Sequence, residues 1–569
     1  MRNTMSFPPS TTPWVIRICT ASFLFAFSCG SPQPEHGSIN LIPATVNPSP
    51  DYWCTWGAQN FAADTLSLLN SLSLGGHSIT ARYVNEERIF GEGGWSDAFP
   101  EGLRNDLLMV FDVGWDVPDG SSFDDSRWKL GSMEVAVDKF PSCSGSGQEK
   151  LVQLDQLVRT HGWKGTGLWL PSQPYTGEAT AGELPENETR AFYRRAATMS
   201  KEAGIRYWKI DYGSRGGDID FRAMITSEAE ASAPGLLVEH GRGSGPLNDE
   251  ACPWDTENYH GTGSYRAWDD GNVLQTAVRI AGVSHVLRTY DITQQLSIPT
   301  TLDRVAEVLN ALGSTGDSVI INCEDEPYLG AVLGCALGIM RHPDMIYMDG
   351  KDYDPFRFKY RIDEVLRAVR WHRIAPAWGA GLDRTTLDTV RLSDRWLFRE
   401  GDGWATWVTG REILQTAPAR VARGMELPEV SCEGASPYVI CSRHPNGAVA
   451  VATLPRVSAP QQILYPLAEV TIHLEDWEGP IGVFGRYDTL YLRGPGQFEI
   501  DGHVAVYHRA LKVYAQDLAG DRAVDITPRV RLQPGILTIP GDVIGEVGCS
   551  AASDGDLSEA GMVIRVVVD

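Results

Sequence analysis

From about residue 50 to about residue 350, short apolar runs alternate with longer amphipathic ones, and few folds accept that order. The strand candidates are "YWCTW" (52–56), "LLMVFDVGW" (107–115), "GTGLWL" (165–170), "RYWKID" (206–211), "GLLVEH" (235–240), "HVLRTYD" (285–291), "SVIINCE" (318–324) and "MIYMD" (345–349). Between them, "TRAFYRRAATMSKEAG" (189–204) reads as a helix ending on glycine, and "GAVLGCALGIM" (330–340), apolar on nearly all sides, reads as a buried helix. Eight buried strands separated by helices predict a (β/α)8 barrel. An open doubly wound sheet is the alternative, but no glycine-rich phosphate loop follows any strand.

After about residue 375 the runs become short and β-like ("WATWV", "YVICSRH", "AVAVATL", "VTIHL", "VYHRALKVYA", "GMVIRVVV"), divided by Gly, Pro and Asp. This predicts one or two C-terminal antiparallel β-sandwich domains. The expected organisation is a signal peptide over 1–28, a linker over 29–48, the barrel over 49–375 and the β region over 376–569. In the N-terminal segment, Arg2 and Arg17 precede the apolar "ICTASFLFAFS" (18–28), too short for a membrane-spanning helix, and "SPQPEHGS" follows. Export is therefore expected, to the periplasm, cell surface or medium. Cys29 after Ser28 also suits a lipoprotein processing site, which would make it a lipid anchor.

The formal net charge of −24 argues against nucleic acid, which needs a basic face. The ten cysteines show no zinc-type pairs, so neither a metal nor a cofactor is expected. Cys432 and Cys441 lie close enough in sequence to bridge a loop in an oxidising compartment.

Chemistry concentrates in "YWKIDYG" (207–213). On a strand, Lys209 and Asp211 share a face, because side chains repeat every two residues. Burying both charges is costly unless they pair or do chemistry. Polar residues also end the other strand candidates: Trp56, Asp112, Trp169, Glu239, Asp291 and Asp325. In a barrel that rim is where active sites form.

These segments resemble, in order, the motifs of the clan D retaining glycoside hydrolases, best known from the family 27 α-galactosidases. "YWKIDYG" is similar to the family's Lys-x-Asp strand, "YWCTW" to Gly-Trp-Asn-Ser-Trp, and "FDVGW" (111–115) to Asp-Asp-Gly-Trp. "GLWL" (167–170), "VEHG" (238–241) and "RTYDI" (288–292) resemble the next three. The resemblance implies Asp211 as nucleophile and Asp291 as general acid/base, with Lys209 favouring the ionised form of Asp211. It gives binding roles to Trp56, Asp112, Trp169, Lys209, Glu239 and Arg288: Trp56 and Trp169 as flat faces for a sugar ring, Asp112 and Lys209 as partners of its hydroxyls, Glu239 facing the hydroxyl at carbon 2. Trp53 and Trp115 read as core packing.

Three departures bear on the substrate. Val113 replaces the second aspartate of the Asp-Asp pair, Tyr212-Gly213 replaces the cysteine after the nucleophile motif, and Arg288 and Asp291 are three apart rather than four. Asp269, Asp270 and Asp325 are the substitute carboxylates. The reading is an exported retaining exo-glycosidase acting on terminal α-galactosidic or closely related bonds of an oligosaccharide or polysaccharide. The alternatives are a β-L-arabinopyranosidase or α-N-acetylgalactosaminidase, or a carbohydrate-binding barrel without catalysis.

Overall fold

In a computed structural model of the chain, the structure describes residues 39–62, 80–121, 129–177, 184–211, 213–241, 271–289, 298–343, 360–397, 412–458, 462–495, 499–500, 503–504 and 511–568. Eight parallel strands close a barrel: β1 (Tyr52–Cys54), β2 (Leu108–Phe111), β3 (Gly165–Leu170), β4 (Tyr207–Ile210), β5 (Leu237–Gly241), β6 (Val286–Arg288), β7 (Ile320–Glu324) and β8 (Ala336–Ile339). Closure comes from β1 pairing with β8, Tyr52 opposite Gly338 and Trp53 opposite Ile339.

Strict alternation explains why these runs are apolar throughout. Tyr52, Cys54, Leu108, Val110, Tyr207 and Val286 meet inside the barrel. Their neighbours Trp53, Met109, Phe111, Trp208 and Leu287 belong to the shell packed under the helices. Both faces of a parallel sheet are covered, so neither can be polar except at a site. Gly338 is needed for close approach: a Cβ there would come within 2.6 Å of Asn322 and 2.9 Å of the Tyr52 hydroxyl.

The outer helices carry local signals of their own. Helix α1 (Gly147–Thr160) opens with a capping box in which Ser146 and Glu149 satisfy each other's backbone N–H. Helix α2 (Glu186–Ala203) stops at Gly204, whose φ of 84° is left-handed. Helix α3 (Ile219–Ser232) is capped by Asp218, whose carboxylate accepts from Phe221 N at 2.9 Å.

One expected element is corrected. The run 330–340 is not a single helix: helix α4 (Pro327–Leu333) ends at Gly334 with φ 64°, and the same run continues as β8. An apolar run buried on all sides suits a barrel strand as well as a helix, and the left-handed glycine decides the break. The segment expected as the eighth strand, 345–349, lies outside the described residues.

Helix α5 (Ile362–Trp371) leads to the C-terminal region, whose first strand is Thr385–Leu387. An eight-stranded and a five-stranded sheet form the body of this region. They are mainly antiparallel, with parallel pairs such as Arg420–Arg423 beside Tyr438–Arg443 and Val449–Leu454 beside Ile481–Phe484. The larger sheet is buried on both faces. Val439, Cys441, Val449 and Val451 face the smaller sheet, making a sandwich core with Val470, Leu490 and Ile539. Tyr438, Ile440, Ala450 and Ala452 face the barrel side.

Buried polar contacts lock that second face. Arg367 of α5 grips Asp517 at 2.9 and 3.1 Å and donates to Glu559 O at 3.2 Å, while the Tyr328 hydroxyl of α4 donates to the same carbonyl at 2.6 Å. Residues 39–569 accordingly form one compact unit. Cys432 and Cys441 are free thiols, not a bridge; Cys441 is buried with its sulfur 3.6 Å from Glu426 O.

Candidate active site at the C-terminal rim of the barrel

The alternation of β4 sends Lys209 and Asp211 inward, as their spacing predicts. They do not, however, form the ion pair that the spacing suggested. The Lys209 ammonium meets Asp112, at the end of β2, at 2.5 Å, and both side chains are buried. The Cys54 thiol of β1 lies 3.1 Å from the same Asp112 oxygen and 3.6 Å from the ammonium. Burial and nearby Arg288 pull the lysine's pKa down, but Asp112, with Cys54 and Asp211, outweighs them and leaves it above the ordinary lysine value. Lys209 is therefore a cation across the whole neutral range.

A close cationic partner of Asp211 is Arg288, the last residue of β6, whose NH2 lies 3.2 Å from Asp211 Oδ2. The Trp169 indole N–H of β3 donates to that same oxygen at 3.2 Å. The backbone of Asp211 is fixed as firmly: its N–H donates to Leu170 O at 3.0 Å, and its carbonyl accepts from Ser172 Oγ and from Arg222 at 3.1 Å. Asp211 keeps a 7 % exposure where Lys209 and Arg288 keep 1 %, so it is the most open of the three.

Glu239 of β5 lies deeper, at 0 % exposure. Its carboxylate accepts from Tyr207 at 2.8 Å, Asn322 at 2.5 Å and the Tyr52 hydroxyl at 3.2 Å, with Arg288 Nε at 3.7 Å. Tyr207, Asn322 and Tyr52 thus satisfy this carboxylate, with Arg288 beside it. Burial, with Glu239 next to them, pushes the hydroxyls of Tyr52 and Tyr207 well above the ordinary tyrosine value, so both remain donors.

Strand β7 adds a residue that sequence reasoning passed over. Ile320, Asn322 and Glu324 alternate inward, opposite to Ile321 and Cys323. Glu324 lies 3.7 Å from Arg288 NH1. Asp325, the substitute carboxylate named from sequence, turns away instead. Its φ is 56°, and its Oδ1 accepts from Met340 N at 2.9 Å and Arg341 N at 3.2 Å, stapling the end of β8. Asp291, Asp269 and Asp270 lie outside the described residues.

The residue after Asp112 is packed into an apolar cluster. Val113, Val117, Leu130 and Trp169 form one buried cluster, with Trp56 packed against it. Trp53 and Trp115 are fully buried core residues, as expected: Trp53 packs on Phe99 and Trp163 at 5.0 and 5.5 Å, and Trp115 donates to Trp169 O at 3.0 Å. Among the described residues no cluster of side chains suits a metal ion.

Fold and site together define a (β/α)8 barrel with a buried, ion-paired polar cluster at the C-terminal ends of its strands. No family model and no curated protein matches the chain. Solved structures similar in fold include glycosidases. A candidate α-galactosidase from Bacteroides fragilis is 10% identical with a TM-score of 0.36, covering 92% of this chain and 80% of its own. A family 27 β-L-arabinopyranosidase from Geobacillus stearothermophilus is 11% identical with a TM-score of 0.34, covering 91% and 97%. A candidate α-N-acetylgalactosaminidase from Bacillus halodurans is 10% identical with a TM-score of 0.38, covering 94% and 100%. Strand order and closure, not these likenesses, define the class.

Proposed function

We propose that the protein is a retaining exo-glycosidase acting on terminal α-galactosidic or closely related bonds, with Asp211 as nucleophile. The observation that carries this reading is the setting of Asp211: an inward carboxylate at the C-terminal end of β4, with one oxygen held by the Trp169 indole and the Arg288 guanidinium. Both contacts favour the carboxylate, the form a nucleophile needs. Anchoring the backbone on both sides fixes the direction of attack, which is where much of the rate of such a step originates.

A retaining mechanism requires a second carboxyl group roughly 5–5.5 Å from the first, protonating the leaving oxygen and then activating water. Asp291 is assigned that role from the family-like motif and from its place three residues after the end of β6. Its surroundings must hold a proton at the start of the cycle, so they should be poorer in cations than those of Asp211. In the same reading, Trp56 and Trp169 give apolar faces for the ring, and Asp112 and Lys209 contact its hydroxyls. The N-terminal segment supports export to the periplasm, cell surface or medium, with Cys29 as the lipid attachment point. The substrate is then an oligo- or polysaccharide met outside the cytoplasm.

The test is a panel of nitrophenyl α- and β-glycosides with purified protein, followed by proton NMR of the product anomer in the first minutes. Release of an α-galactoside or near relative with retained configuration supports the reading. Release with inverted configuration, or no turnover of any glycoside, overturns it.

A further inference from the structure

Arg288 is the centre of the site's charge arrangement. Its Nε faces Glu239 at 3.7 Å, its NH1 faces Glu324 at 3.7 Å, and its NH2 faces Asp211 at 3.2 Å. The side chain is 1 % exposed, so water offers little screening and these charges act strongly on the guanidinium. At 3.7 Å, Glu239 and Glu324 act on the planar fork of arginine by charge rather than by hydrogen bonds, and so bias where its third edge points. Glu239 is itself fixed by Tyr52, Tyr207 and Asn322. Glu324 is fixed by the alternation of β7 and by its place at that strand's end, immediately before the Asp325 turn.

We infer that Glu324 is a positioning residue: by holding NH1 of Arg288 it aims NH2 at Asp211 and limits how strongly that arginine draws on the nucleophile's negative charge. The inference rests on the reading of Asp211 as nucleophile. Among these groups, Lys209 and Arg288 face four carboxylates, Asp112, Asp211, Glu239 and Glu324. With Glu324 present, Arg288 is divided between carboxylates, and Asp211 keeps enough basicity to attack. When the glycosyl-enzyme ester forms, Asp211 loses its charge, and Glu324 and Glu239 retain the arginine in place for the second displacement. No bond to Glu324 forms or breaks in either step.

The test is the pH profile of kcat/KM for wild type and Glu324→Gln. Removing a neighbouring negative charge and releasing Arg288 toward Asp211 both favour ionised Asp211. The acid limb should therefore move to lower pH, by about one unit. The plateau should fall roughly tenfold through kcat, with KM little changed, because Glu324 is not placed on the substrate. Glu324→Asp, which restores the charge, should return the limb most of the way. If the Gln variant does not fold, Glu324→Met, neutral and of similar length, tests the same sign. An acid limb unmoved in a folded neutral variant overturns the inference. Asp211→Asn run alongside separates the two claims. If it is inactive and rescued by azide while the Glu324 limb stays put, only the positioning role falls. If Asp211→Asn keeps its turnover, the nucleophile assignment falls and the positioning role with it.

Discussion

Lys209 and Asp112 form a 2.5 Å ion pair across the barrel interior, between strands β4 and β2, with side-chain exposures of 2% and 3%. The lysine two residues before Asp211 on the same strand is thus held chiefly by another carboxylate, and a close cation of Asp211, Arg288, comes from β6. A buried pair of this kind is costly to desolvate, so its strength as a stabiliser shows mainly when one partner is lost.

Lys209→Met should destabilise the fold by about 3–5 kcal/mol, because Asp112 is left charged and unmatched in the interior. Lys209→Met combined with Asp112→Leu should recover much of that loss. Urea unfolding of the three proteins checks this, and a single variant as stable as wild type would show that the pair is not buried as described.

The sandwich is docked by Arg367 and Asp517, which are 0% and 1% exposed. Arg367→Met should cost about 3–5 kcal/mol on the same grounds. Since α5 touches both parts of the compact unit, the loss should lower the midpoint of one shared unfolding transition. Two separate transitions in the wild-type protein would contradict this coupling.

Burial pushes the Asp116 carboxyl up to about 7, against the opposing pull of backbone N–H groups, those of Gly131 and Ser132 first, and of Lys139. The folded state therefore holds this proton where the unfolded chain has released it. Stability from this group is present below the ordinary aspartate value and is lost as pH rises toward 7. Between pH 5 and pH 8, wild type should lose about 2–3 kcal/mol relative to Asp116→Asn, measured by urea unfolding at both values. Lys139, lowered to about 8 by burial, begins to release its proton near the upper edge of that window. A gap between wild type and variant that does not change with pH would remove the assignment.

Val113, Val117, Leu130 and Trp169 form a buried apolar cluster, so the position after Asp112 carries no second carboxylate for sugar hydroxyls. An apolar pocket discriminates weakly, by roughly 10–200-fold, whereas a site built to bond a hydroxyl rejects its loss by ~10⁴–10⁵. Asp112 and Lys209 are then the polar partners that remain, so the 4- and 6-deoxy galactosides should lose less than ~10⁴-fold in kcat/KM. Losses near 10⁴ would place a polar partner where the structure has Val113.

Much of this was legible in the sequence, because barrel strands signal themselves by local apolar runs. The first seven strand candidates coincide with β1 to β7, and Lys209 and Asp211 share the inner face as period two requires. Three features were not legible. The 330–340 run hid a helix-to-strand change at Gly334, since apolarity on all sides does not distinguish the two. Glu324 and Asp325 are adjacent carboxylates, and only strand register tells which points inward. The partners of Glu239, on β1, β4 and β7, lie 187, 32 and 83 residues away in sequence, so no local pattern could join them.

The central claim is that Asp211 attacks the anomeric carbon, and a trapped intermediate tests it most directly. A 5-fluoro glycosyl fluoride of the sugar found by the nitrophenyl panel should form an ester that hydrolyses slowly, because the fluorine destabilises the oxocarbenium-like transition state of both steps. Peptide mass spectrometry of the quenched enzyme should then place one glycosyl unit on Asp211. An adduct on any other residue would contradict the account.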